Sequence, residues 1–136
     1  MKALRILLTA ALLVASPVAM AIHGSAQVSE IDGQMAVSAI MSAGTRASLV
    51  ANVTHVPSVG VIRLSVRGMR GAETHMLTPE DFKILARKYT GGIARLQRSL
   101  AANPVTREAL DRRNIAIGRV WGVQVGSNGA LRLYIY

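Results

Sequence analysis

The sequence predicts an α+β fold: a small three-stranded sheet, built from one strand and a C-terminal β-hairpin, with two helices packed on one face. Three observations lead there. Residues 59–67 alternate, with Ile62, Leu64 and Val66 on one side and Arg63, Ser65 and Arg67 on the other, which is the period of a half-buried strand. Phe82, Leu85, Tyr89, Ile93, Leu96 and Leu100 recur at spacings of three and four, the stripe of an amphipathic helix. Ser127-Asn128-Gly129 separates two apolar-rich runs, 119–125 and 130–136, as a hairpin turn does.

Taken in order, the chain starts with a basic Met1-Lys2-Ala3-Leu4-Arg5, an apolar run over 6–15, Ser16-Pro17, and Ala19-Met20-Ala21. This is the layout of a secretory signal peptide cleaved after Ala21. The run is shorter than the roughly 20 residues a bilayer span needs. The expected location is therefore periplasmic or extracellular, with no transmembrane span in the mature chain. Cleavage would remove Lys2 and Arg5 and lower the net charge of +9 by two.

Residues 22–44 are rich in Ala, Ser and Gly, have no aromatic side chain, and are expected to be weakly ordered apart from a short helix near Met35–Met41. The single α+β domain is expected over 45–136. Thr45 would cap a short helix with Leu49, Val50 and Val53 on one face, ended by Pro57; a strand over 49–53 competes. The strand at 59–67 leads into a loop at Gly68-Met69-Arg70-Gly71. Thr78-Pro79-Glu80-Asp81 then opens the long helix with a capping hydroxyl, a proline at the first position and two acids in the first turn. Gly91-Gly92 interrupts the stripe without shifting its phase, which predicts a kink or a two-part helix. Asn103-Pro104 ends that helix and starts another with Val105, Ala109 and Leu110 inward. Asn114 suits the left-handed position that closes it. In the hairpin, Leu131, Leu133 and Ile135 point one way, and Arg132, Tyr134 and Tyr136 the other.

Composition narrows the function classes. In 136 residues there is no cysteine, so a disulfide scaffold, a zinc ribbon and a thiol nucleophile are excluded. With 51% apolar residues the chain is not a disordered polycation. Sixteen Lys and Arg against seven Asp and Glu give an electropositive surface that favours anionic partners, an anionic envelope component or an acidic protein. Export disfavours nucleic acid. No His-x-x-x-His spacing, Gly-x-Ser-x-Gly elbow or phosphate loop is present, so no cofactor, metal or catalytic residue is assigned.

Two candidate sites remain. If the core strands face the helices, Arg63, Arg67, Arg132, Tyr134 and Tyr136 form a wet sheet face. Its arginine forks and tyrosine rings suit anions. The competing reading is an ordinary solvated face. The second candidate is the 68–81 loop, where Glu73, His75 and Asp81 would serve a hydrolase or metal-dependent enzyme if they converged. Lys83, Arg87, Lys88, Arg95 and Arg98 lie off the apolar stripe, as on the outer face of any core-packed helix or on one lying on an anionic membrane.

The leader ending in Ala19-Met20-Ala21, the strand Val59-Gly60-Val61-Ile62-Arg63-Leu64-Ser65, Ile93-Ala94-Arg95-Leu96 with Ala101-Ala102-Asn103-Pro104, and the closing Asn128-Gly129-Ala130-Leu131-Arg132-Leu133-Tyr134 together resemble small exported proteobacterial proteins of unassigned function. The resemblance implies a fold and a location and carries no ligand or catalytic residue. The expected function is a small non-enzymatic exported protein, a binding or envelope-accessory module with a basic surface. The alternatives are the loop enzyme and an extracellular nucleic-acid binder.

Overall fold

The computed structural model describes residues 33–65, 69–70 and 76–136. The leader, Arg67, Glu73 and His75 lie outside the described residues. The fold is the expected α+β one. Helices α1 (33–41), α2 (Ala43–Ala51), α3 (Pro79–Lys88), α4 (Thr90–Ala102) and α5 (Pro104–Arg112) accompany strands β1 (Val59–Arg63), β2 (Met69–Arg70), β3 (Met76–Leu77), β4 (Val120–Val125) and β5 (Leu131–Ile135). The main sheet has the order β1-β5-β4, with β1 parallel and β4 antiparallel to the central β5. β2 and β3 form a separate antiparallel pair inside the stretch expected to be a loop.

Helix α1 falls where a short helix was expected, near Met35–Met41, and residues 22–32 lie outside the described residues. The domain core was expected to start at 45, but one side of the helices before it belongs to that core: Ala36, Ala39, Ile40 and Ala43 are fully buried. Alanine carries little hydrophobic signal, so this burial was not legible. Its small side chain instead lets a helix approach its neighbours closely. The helix also does not begin at Thr45, which lies inside α2. Backbone bonds from Ser42 N–H to Ser38 O and from Arg46 N–H to Ser42 O carry the helical ladder across the α1–α2 junction. The Ser42 hydroxyl also donates to Ser38 O at 2.6 Å, a back-bond that bends helices.

Most local signals behave as expected. Thr78 Oγ1 accepts from Asp81 N–H, and Asp81 Oδ2 accepts from Thr78 N–H at 2.8 Å, a full capping box at the start of α3. The long stripe does split in two, with the break at Tyr89. Gly92 has a different role: a Cβ there would lie 3.0 Å from Gly44 N, so the pair sets how closely α2 and α4 cross. Asn103 caps α5 by accepting from Val105 N–H. Asn114 has φ of 54°, while its N–H bonds Asp111 O and Ile115 N–H bonds Leu110 O. Those two bonds close α5 in a Schellman turn.

The hairpin is present with a different turn. Of its two central residues only Gly129 has positive φ, 91°. Gly126 N–H bonds Ala130 O and Gly129 N–H bonds Gly126 O, and the Asn128 side chain accepts from Ala130 N–H. The loop is thus wider than a two-residue connection. The strand expected over 59–67 ends earlier, at Arg63.

Candidate functional site

The wet arginine–tyrosine face does not assemble. In the parallel register Ile62 lies beside Tyr134 and Arg63 beside Ile135. Neighbours in register share a face. Arg63 therefore lies on the face opposite Arg132, contrary to expectation. Tyr134 is fully buried, as is its strand neighbour Leu133, so both faces are covered at this level. Gly122 pairs with Tyr134, and a Cβ at Gly122 would meet Ala39 Cβ at 2.9 Å. The buried α1 residues thus lie over the Tyr134 side. Arg132 is exposed, with Nη1 4.0 Å from Met35 Sδ. Alternation within each strand was legible, but the relative register of β1 and β5 was not.

The loop site cannot be assembled from the described residues. Asp81, its one described member, spends its carboxylate on the α3 cap, and its pKa is held below the ordinary value by the Thr78 backbone N–H and then by the Thr78 hydroxyl. No group of three or more His, Asp or Glu able to hold a metal occurs among the described residues.

A different site takes shape where α3, α4 and the ends of β4 and β5 meet. It is a groove of about 620 Å³, within the range of small-molecule sites. Ala86, Ile93 and Ala94 supply apolar surface from the two helices. Trp121 and Tyr136 form an aromatic wall, their rings stacked at 4.4 Å with 15° between planes. The pairing of β4 with β5 shifts register between Val120 and Gly122, leaving Trp121 as the extra residue. Such a bulge re-aims its side chain, here onto Tyr136. Gln97 holds the strand in place from α4: its Nε2 donates to Gly118 O at 3.1 Å and to Val120 O at 3.0 Å.

The groove rim is charged. Lys83 Nζ lies 5.4 Å from the Tyr136 ring centroid, within cation–π range. Glu80 is loosely shared, 3.7 Å from Lys83 Nζ and 3.8 Å from Arg87 Nη2. All three side chains are exposed, so these pairs are weak and readily exchanged for a ligand. Among the side chains that line the groove, two cations stand beside one carboxylate. The groove can therefore hold a flat or extended apolar body against the rings with an anionic group at its edge. No family model, curated protein or solved structure matches this chain.

The sequence points only weakly to these residues. Lys83 and Arg87 were legible as the outer face of an amphipathic helix. Tyr136 was expected on a wet face turned away from the helices, whereas it lines the groove together with residues of α3 and α4. Trp121, the single tryptophan, gave no sign that a bulge would turn it onto Tyr136.

Proposed function

We propose that this chain is a small non-enzymatic binding module, exported after cleavage following Ala21, whose groove takes an amphipathic anion. The apolar body of the ligand lies against Trp121, Tyr136, Ile93 and Ala94, and its negative group sits by Lys83 and Arg87. The observation that carries the reading is the open aromatic wall beside an apolar floor with cations on its rim. Charge complementarity makes an anionic lipid of the cell envelope the fitting partner, in keeping with the leader pattern. Among the described residues no helix is long and apolar enough to cross a membrane.

The single tryptophan provides the test. Titration with a C12 fatty acid below its micelle concentration is expected to change Trp121 emission saturably. The matched C12 alcohol binds more weakly. Lys83→Gln and Arg87→Gln each raise the dissociation constant about two- to fivefold, the scale of exposed charge pairs, and added salt does the same. Equal response to acid and alcohol would remove the anionic part of the proposal, and no saturable response would remove the groove. Export is checked separately: the intact mass of protein recovered from the envelope fraction should correspond to a chain starting at Ile22.

A further inference from the structure

A second concavity shares no lining residue with the groove. It lies between the end of β1 and the segment that links α5 to β4, with a volume of about 390 Å³. Arg63, Arg113 and Arg119 line it, against apolar walls of Val61, Ile115 and Ile135. No side-chain carboxylate lines it. Among the described residues neither Arg63 nor Arg113 has an ion pair.

Local structure explains how Arg63 comes to lie beside Arg113 and Arg119, which are six residues apart on one connecting segment. Arg63 ends β1, in register with Ile135 of the central strand. Arg113 is the last residue before the left-handed Asn114, whose Schellman turn sends the chain back toward β1. Arg119 is tied to the end of the sheet. Its Nε donates to the backbone oxygen of Tyr136 at 2.6 Å, and Tyr136 N–H returns a bond to Arg119 O. That tether orients the Arg119 guanidinium while leaving its terminal nitrogens for a ligand, so part of the ordering cost of binding is met before the ligand arrives.

We infer that this cleft is an oxyanion site for a phosphate group, separate from the groove. Guanidinium groups bind phosphate and carboxylate through forked, charge-assisted hydrogen bonds. One fork satisfies a carboxylate. Three guanidinium groups with no side-chain acid among them suit a dianion with several acceptor oxygens, as in a phosphate monoester. All three arginines are exposed, so the attraction acts at the surface and weakens with added salt. The phosphate can come free or as a lipid headgroup, and the two sources are separable by experiment.

Calorimetric titration of the purified protein with inorganic phosphate in chloride buffer forms one arm. Binding to zwitterionic vesicles with and without phosphatidic acid forms the other. Arg63→Gln and Arg113→Gln are compared with Arg98→Gln, an exposed arginine of α4 outside both concavities. The expected result is that each cleft variant raises the dissociation constant about tenfold, the scale of a hydrogen bond to a charged group, and that Arg98→Gln changes it less than about twofold. Loss in the free-phosphate arm identifies a soluble ligand, and loss in the vesicle arm alone identifies a lipid phosphate; both support the site. Thermal melts confirm that the variants are folded, and if one is not, the other decides. No binding in either arm overturns the inference, as does an equal loss in Arg98→Gln, which would mean that only the general positive field is at work.

Discussion

Asn103 joins three elements with one side chain. Its Oδ1 accepts from Val105 N–H to cap α5, and its Nδ2 donates to Val50 O and to Val53 O at 2.8 Å, beyond the end of α2. Replacement by Ala removes a cap worth about 1 kcal/mol and two further bonds worth about 1 kcal/mol each. Asn103→Ala is therefore expected to cost about 2–4 kcal/mol in denaturant unfolding. Asn103→Asp keeps the cap acceptor, loses both donors and sets a charge near two carbonyls. It should lie close to Ala, and a value near wild type would show that the α2 bonds contribute nothing. Asp81 predicts a pH effect whose sign follows from its cause. Its folded pKa is lowered by the Thr78 N–H and hydroxyl. The stabilisation it brings is present above the unfolded value of about 3.9 and is lost as pH falls through the folded value. Thermal melts between pH 5 and pH 2 should show a loss in wild type that is smaller in Asp81→Asn. These caps were readable from the sequence because each depends on residues within a few positions: Thr78-Pro79 with Asp81, Asn103-Pro104, and Asn114 after the basic end of α5. The arginine cleft was not readable in the same way, since Arg63 meets Arg113 and Arg119 only through the β1–β5 register.

The contact of α2 with α4 rests on a glycine pair. A Cβ at Gly92 would lie 3.0 Å from Gly44 N and one at Gly44 3.1 Å from Gly92 Cα, whereas nothing lies within 4 Å of a Cβ at Gly91. Two neighbouring glycines in the same helix should thus respond oppositely to alanine. Gly91→Ala is expected to stabilise by up to about 1 kcal/mol through helix propensity. Gly92→Ala forces the helices apart and should destabilise despite the same gain. Chemical unfolding of the two variants reads the difference, and equal stabilisation would contradict the close crossing. At the hairpin, Gly129 combines positive φ with a close approach: an added Cβ would clash directly with His55 O. Gly129→Ala should cost more than the roughly 1–2 kcal/mol of a left-handed alanine alone, measured the same way. Helix periodicity and the presence of a hairpin were legible because they repeat along the chain. The turn type was not, because His55, from a segment more than seventy residues earlier, limits what can stand at position 129. The Trp121 bulge depends in the same way on how β4 pairs with β5, and so the aromatic wall escaped sequence reading.

For the whole molecule, the core reaches back to Ala36, and the sheet is covered where a wet face was expected. The positive charge therefore does not spread over an open sheet. Part of it lies at the rim of the aromatic groove, at Lys83 and Arg87, and part in the arginine cleft. Packing of α1 on the sheet is testable at Gly122, where a Cβ would meet Ala39 Cβ at 2.9 Å. Gly122→Ala should lower the melting temperature, by about 4–8 °C for each kcal/mol lost in a domain of this size. Adding Ala39→Gly should recover part of that loss, the coupling expected of residues in contact. Purely additive losses would contradict the contact. The central claim is that the groove between α3, α4 and the Trp121–Tyr136 wall is the binding site. An amide and indole NMR titration of the labelled protein with a C12 fatty acid tests it most directly. The expected result is saturable shifts at the Trp121 indole, Tyr136 and residues 83–97, with 113–116 unchanged. Shifts scattered over the exposed arginines with none at Trp121 would contradict it.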